Sequence, residues 1–122
     1  MPKIIIVEDD PMISEIYQKK FSDSGFEVLL AGSGEQALDA VKKEKIDLVL
    51  SDLVMSNMDG FEVIKSLRGG NYDPNIKIIA LSNLSNGDSR KKAIELGANG
   101  YIVKADFTPA ELVAEVKKII AS

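Results

Sequence analysis

The 122-residue sequence has no cysteine, no histidine and no tryptophan. Without cysteine, disulfides, thiolate catalysis and sulfur-ligated zinc or iron–sulfur sites are excluded. Without histidine, the commonest general base and the commonest transition-metal ligand are missing as well. Any metal must therefore be held by oxygen, and a hard cation such as magnesium is the leading candidate. Long apolar runs are also lacking: Ile4–Val7, Leu48–Leu50 and Ile78–Leu81 fall far short of the roughly 20 residues that cross a bilayer. Met1-Pro2-Lys3 leads straight into the first run with no cleavage-site pattern, so a cytoplasmic protein without membrane attachment is expected. Nor is there an excess of basic charge. Fifteen Lys and Arg face nineteen Asp and Glu, a net charge of −4, which offers a nucleic-acid backbone little to bind.

What is present suits one soluble domain over residues 1–122: 45% of residues are hydrophobic and 28% charged, unlike a disordered chain. Short β-branched runs at Lys3–Val7, Glu27–Ala31, Asp47–Ser51, Lys77–Ser82 and Gly100–Val103 alternate with helical patterns. Several runs are apolar at consecutive positions, as strands covered on both faces are. Between them, apolar residues recur three and four apart: Ile13, Ile16, Tyr17 and Phe21; Ala37, Leu38 and Val41; Phe61, Ile64 and Leu67; Ala93 and Ile94; Leu112, Val113, Val116, Ile119 and Ile120. Capping signals agree: Asp10 before Pro11, capping boxes at Ser33/Gln36 and Thr108/Glu111, and Gly97 as a left-handed helix stop. The expected fold is α/β: a doubly wound (βα)5 unit with a five-stranded parallel sheet and helices on both faces.

In such sheets ligands bind beyond the carboxyl ends of the strands. The residues there are Glu8, Asp9 and Asp10 after the first run, Asp52 after the third, Ser82 and Asn83 after the fourth, and Lys104 after the fifth. Asp10 alone reads best as a helix cap. As a set, crowded carboxylates repel one another, and a divalent cation relieves that repulsion. A flavin or dinucleotide needs a Gly/Ser/Thr-rich first loop, whereas this loop is Glu-Asp-Asp-Pro, and neither GxxxxGK[ST] nor GxGxxG occurs.

Four segments now carry a resemblance. Ile4-Ile5-Ile6-Val7-Glu8-Asp9-Asp10, Asp52-Leu53-Val54-Met55-Ser56-Asn57-Met58-Asp59-Gly60 (continued by Glu62 and Leu67-Arg68), Ala80-Leu81-Ser82 and Gly100-Tyr101-Ile102-Val103-Lys104 together resemble the receiver domain of two-component response regulators, the flavodoxin/CheY-like fold. The resemblance implies a phosphorylation-activated switch in a phosphorelay. Asp52 would accept a phosphoryl group from a phosphohistidine, and Asp9, Asp52 and the main-chain carbonyl of Val54 would bind magnesium, with Glu8 in the same site. Lys104 would pair with phosphoryl oxygens, Ser82 would hydrogen-bond one, and the Tyr101 rotamer would follow Ser82. These roles are chemically sensible. Phosphoryl transfer needs positioning and positive charge more than acid–base catalysis, and a free aspartate ionises near pH ~4, so no histidine base is required.

The implied partners are a histidine kinase or histidine phosphotransfer protein and a downstream protein, or an output domain outside this chain; a monomer or a phosphorylation-dependent dimer fits either. The chain would act as a phosphoacceptor and not as an enzyme with its own substrates. Two alternatives stand beside this. A magnesium-dependent phosphohydrolase with an aspartyl-phosphate intermediate usually places a second acid two residues after its nucleophile, where this chain has Val54. A receiver-like module that no longer takes phosphate is the other.

Single residues also have plainer readings. Tyr101 could be half-buried packing, Ser82 a strand-end hydrogen bonder, Met55 and Met58 packing, and Arg90-Lys91-Lys92 a solvated helix face, while Met12 and Ile13 could meet a phosphodonor. Three positions depart from the usual pattern: Ser56 and Ala105 stand where proline is common, and Asn83 stands where a small residue is common. Before alanine a cis bond costs about 2.5–4 kcal/mol, so the Lys104–Ala105 bond is expected to be trans. Val54 and Leu84 flank the site with apolar side chains that cannot orient a water, which predicts slow self-dephosphorylation.

Overall fold

Why the sheet is buried on both sides follows from its sequence. In the computed structural model, which describes residues 1–55, 58–83 and 87–122, five runs form one parallel sheet: β1 (Lys3–Val7), β2 (Glu27–Ala31), β3 (Leu48–Asp52), β4 (Lys77–Ser82) and β5 (Gly100–Val103), in the order β2-β1-β3-β4-β5. Side chains alternate across a strand. Ile4, Ile6, Leu48, Leu50, Ile79, Leu81 and Ile102 accordingly share one core with Phe21, Leu112, Val113 and Val116. Ile5, Val7, Val49, Ile78, Ala80 and Tyr101 share the other, with Ala37, Val63, Ile64, Leu67 and Ala93. The first core lies under α1 (Pro11–Asp23) and α5 (Pro109–Ala121), and the second under α2 (Gly34–Lys43), α3 (Gly60–Gly69) and α4 (Gly87–Leu96). No helix among the described residues is long and apolar enough to cross a membrane.

Helix starts obey local chemistry. The Asp10 carboxylate accepts from Met12 N at 2.9 Å with Pro11 opening α1, and Thr108 and Glu111 form a complete capping box on α5. Gly97 ends α4 with φ +115°, a conformation that L side chains rarely adopt.

Three sequence expectations need correction. β3 begins at Leu48 and includes Asp52, one residue later than expected. Ser33 does accept from Gln36 N, but the Gln36 side chain takes the N–H of Gly32 in place of that of Ser33, so this capping box is only half formed. Ile16 and Ile94 belong to no buried stripe, being 55% and 45% exposed. On α1 the buried line passes instead through Ser14 and Phe21, because Ile13, Ile16 and Tyr17 face a groove beside α5. The basic run on α4 is exposed, as expected, with Arg90 over the Tyr101 ring and Lys92 over the Phe61 ring.

Candidate functional site

Sheet pleating sorts the site residues before any side chain is placed. Asp52 keeps the parity of Leu48 and Leu50, and Glu8 and Lys104 extend the parity of Ile6 and Ile102. Ser82 keeps that of Ala80 and so belongs with Tyr101 on the opposite face. The β1–β3 neighbourhood brings the first two strand ends together, since Val7 is level with Ser51. Lys104 reaches them from the first residue of a 3-10 turn (Lys104–Asp106) that follows β5.

The resulting contacts are tight. Lys104 Nζ donates to Glu8 Oε2 at 2.9 Å and to Asp52 Oδ2 at 3.0 Å. Glu8 and Asp52 are buried, while Asp9 is exposed beside them. One carboxylate oxygen from each of Glu8, Asp9 and Asp52 lies within 4.8 Å of the others. Asp10 N donates to Glu8 Oε1 at 3.2 Å, and Val54 N donates to Asp52 Oδ1 at 3.3 Å.

Two buried carboxylates thus contact one ammonium, with a third carboxylate beside them. Burial pushes the Glu8 carboxyl above the ordinary glutamate value; the hydrogen bond from Lys104 opposes this, and the neighbouring Asp52 adds to it. For Lys104, burial works against the charge, but the hydrogen bonds to Glu8 and Asp52 outweigh it and hold the ammonium above the usual lysine value. Burial likewise raises the Tyr17 phenol. The donor set contains only carboxylate oxygens, with no nitrogen or sulfur, and so fits a hard divalent cation.

Gly60 positions the end of β3. Its N–H donates to Leu53 O at 3.1 Å, and a Cβ there would stand 2.3 Å from Asp52 O. Only glycine lets α3 start this close to the backbone of Asp52.

Of the residues singled out from sequence, Glu8, Asp9, Asp52 and Lys104 converge. Val54 is adjacent through its N–H, with a side chain that is 64% exposed. Ser82 is fully buried at the end of β4 and Tyr101 is buried on β5, with Ala80 level with it. Asp10 is a helix cap, as expected, and Met55 and Met58 pack against the core. The Lys104–Ala105 bond is trans. Ser56 and Leu84 lie outside the described residues.

Two features escaped sequence reading. Ser14 is buried on α1, and its hydroxyl donates to the carbonyl of Glu8 at 3.3 Å, tying the first helix to the acidic loop. A serine between apolar stripes gives no signal of this. The second feature is an apolar groove of about 350 Å³ lined by Ile13, Ile16, Tyr17, Asn83, Ala105 and Pro109, with Lys104 at its edge. Only the placing of Met12 and Ile13 early in α1 hinted at it.

Comparison with known proteins gives a consistent picture. Residues 4–117 match the family model for the response regulator receiver domain. A probable transcriptional regulator ycf27 of Porphyridium aerugineum is 38% identical over 118 residues, covering 97% of this chain and 48% of that protein. The DNA-binding response regulator MtrA of Mycolicibacterium smegmatis is 36% identical over 115 residues, covering 94% and 49%. The chain therefore spans about half the length of these curated relatives. Among solved structures, chemotaxis protein CheY4 of Vibrio cholerae superposes with a TM-score of 0.91 at 28% identity, covering 98% of each chain. A putative response regulator from Chloroflexus aurantiacus gives 0.88 at 31% identity, covering 100% of each. Fold, acidic cluster and sequence agree: the chain belongs to the response regulator receiver-domain family, the phosphoacceptor signalling switches of two-component systems.

Proposed function

We propose that residues 1–122 act as one receiver domain in which Asp52 accepts the phosphoryl group from a phosphohistidine on a partner protein. The observation that carries this reading is the Lys104 ammonium bridging Glu8 and Asp52 beside Asp9. In the reaction an Asp52 carboxylate oxygen bonds to phosphorus as the bond from phosphorus to the donor imidazole nitrogen breaks, and the released imidazole keeps the electron pair. Lys104 exchanges carboxylate contacts for contacts to the incoming phosphoryl oxygens, where its fixed positive charge meets the charge that develops. Glu8, Asp9, Asp52 and the main-chain carbonyl of Val54 are the groups that would hold magnesium. When bound, that ion supplies further positive charge and offsets the excess of carboxylates. Ser82 follows as a hydrogen-bond donor to the new acceptor oxygens, and Tyr101 on the same face responds to it.

The apolar groove beside Lys104, with exposed Met12 (73%) and Ile16 at its approach, is the surface on which the phosphodonor protein would dock. On this reading the partners are a histidine kinase or histidine phosphotransfer protein and a downstream protein, and the setting is the cytoplasm. The chain is a phosphoacceptor, catalysing only its own transfer and a slow self-dephosphorylation, since the exposed Val54 side chain has nothing with which to orient a water. Peptide mapping after acetyl phosphate and magnesium tests the assignment. One phosphoryl group at Asp52, lost in Asp52→Asn, is expected. Continuous turnover of phosphoesters would mark a hydrolase, and absence of label would mark a non-phosphorylated binding module.

A further inference from the structure

Among the described residues the buried polar or charged ones are Glu8, Ser14, Ser51, Asp52 and Ser82. The proposed function draws on Glu8, Asp52 and Ser82. Ser51 makes a local bond, its hydroxyl donating to the carbonyl of Asp52, the next residue, at 3.1 Å. Ser14 is different. Its hydroxyl reaches out of its own helix and donates to the carbonyl of Glu8, six positions back, at 3.3 Å. A helical serine more often turns to the carbonyl four residues back. Ser14 makes that helical bond through its N–H alone, to Asp10 O at 3.0 Å.

The place the hydroxyl reaches gives the bond its meaning. Glu8 stands one residue past β1; its N–H still meets Ala31 O at 3.0 Å, and β2 ends at Ala31. Its carbonyl thus lies where the sheet ladder stops, and a buried carbonyl left without a donor is costly. Ser14 supplies the donor. The same carbonyl belongs to the peptide that joins Glu8 to Asp9, so fixing it fixes the chain between two of the three clustered carboxylates. The Glu8 carboxylate is held separately, by Asp10 N at 3.2 Å and Lys104 Nζ at 2.9 Å. The bond also anchors α1, whose two buried residues are Ser14 near its start and Phe21 near its end.

We propose that Ser14 is a positioning residue for the cation site: its hydroxyl fixes the Glu8–Asp9 peptide and so sets where the Asp9 carboxylate stands relative to those of Glu8 and Asp52. This deepens the receiver reading above and rests on it for the divalent ion. Removing a group that orients a metal ligand typically costs roughly 10–100-fold in affinity. Asp9 has an interaction of its own besides, so the loss expected here is smaller, about three- to tenfold.

Backbone amide NMR of the full chain, with magnesium chloride titrated in, reads both the loop and the ion. Ser14→Ala should raise the magnesium dissociation constant about three- to tenfold. Before any ion is added, it should also lower the order parameters of the Asp9 and Asp10 amides from about 0.85, the rigid-backbone value, toward about 0.7. Ser14→Thr keeps the hydroxyl, and the cavity of about 240 Å³ beside Ser14 has room for its methyl group. It should restore the parent's constant. Ser24→Ala removes an equivalent bond from the other end of α1, where the Ser24 hydroxyl donates to Lys20 O at 2.7 Å, and should change neither quantity. An unchanged constant in Ser14→Ala overturns the proposal, as do order parameters unmoved at Asp9 and Asp10. So does an equal loss in Ser24→Ala, which would mean general loosening of α1, or in Ser14→Thr, which would trace the effect to packing. A parent that binds no magnesium overturns the cation site and this proposal with it, whereas equal binding by parent and Ser14→Ala overturns this proposal alone.

Discussion

The two ends of the sheet use charge in opposite ways. At the amino end Lys3 and Arg68 each hold several partners. Lys3 pairs with Glu44 and Glu27, and its backbone N–H donates to Asp47. Arg68 donates to the carbonyls of Gly97 at 3.0 Å and Pro74 at 3.3 Å and to Asn99 Oδ1 at 2.8 Å, and that Asn99 oxygen also accepts from Ile78 N. The Arg68 charge sits at the carbonyl end of α4, where a helix dipole welcomes it, and it closes three segments against one another. At the carboxyl end, by contrast, Glu8 and Asp52 are both buried and share the ammonium of Lys104, with the Asp9 carboxylate beside them. The amino-end cations are spread over several separate partners, whereas at the carboxyl end three carboxylates crowd together around Lys104. That crowding of carboxylates is what the proposed function draws on.

This contrast can be broken by removing one cation from each end. Lys104→Ala strands two buried carboxylates, and uncompensated buried charge costs about 3 kcal/mol. Urea unfolding should show that loss without divalent cation and a clearly smaller one with magnesium, and phosphoryl transfer should fall sharply in either case. Gly60→Ala tests the packing that holds the Asp52 backbone. A Cβ 2.3 Å from Asp52 O must push strand and helix apart, at a cost of about 1–3 kcal/mol that magnesium does not restore. Arg68→Ala is the counterpart at the amino end. Chemical denaturation should show a loss of about 1–2 kcal/mol from unsatisfied carbonyl groups, the same with and without the ion.

The smallest effect belongs to the first turn of α5, where, among the described residues, no contact reaches the carboxylate cluster. The Thr108 backbone N–H donates to the Glu111 carboxylate at 2.9 Å, and this bond, with the Thr108 side chain, holds the carboxyl below the ordinary glutamate value. A carboxyl lowered in the folded state adds stability above its unfolded value and loses it as pH falls through the lower, folded one. Glu111→Gln should therefore flatten the acid limb of a stability–pH profile slightly and leave neutral-pH phosphorylation unchanged.

Much of this was legible in the sequence because the relevant signals are local. Strands such as Ile4–Val7 announce burial on both faces, and residues one or two positions past a strand end must gather at one edge of a parallel sheet. Glu8, Asp9, Asp52 and Lys104 could be named on that basis. What stayed hidden depends on distances between segments far apart in the chain. That Lys104 bridges Glu8 and Asp52 spans 96 and 52 positions. The rotation of α1 that exposes Ile16 and buries Ser14 depends on how α5 packs against it. The exposed basic triplet on α4 could be read from sequence, but not that β5 places Tyr101 beneath Arg90.

The central claim is that the carboxyl end needs an outside cation before Asp52 can be esterified. Intact-mass measurement of phosphoryl incorporation from acetyl phosphate across a magnesium titration, with an EDTA-treated sample as the zero point, tests it most directly. Incorporation that rises from nothing to one group per chain and saturates with magnesium is expected. Equal incorporation in EDTA would contradict it.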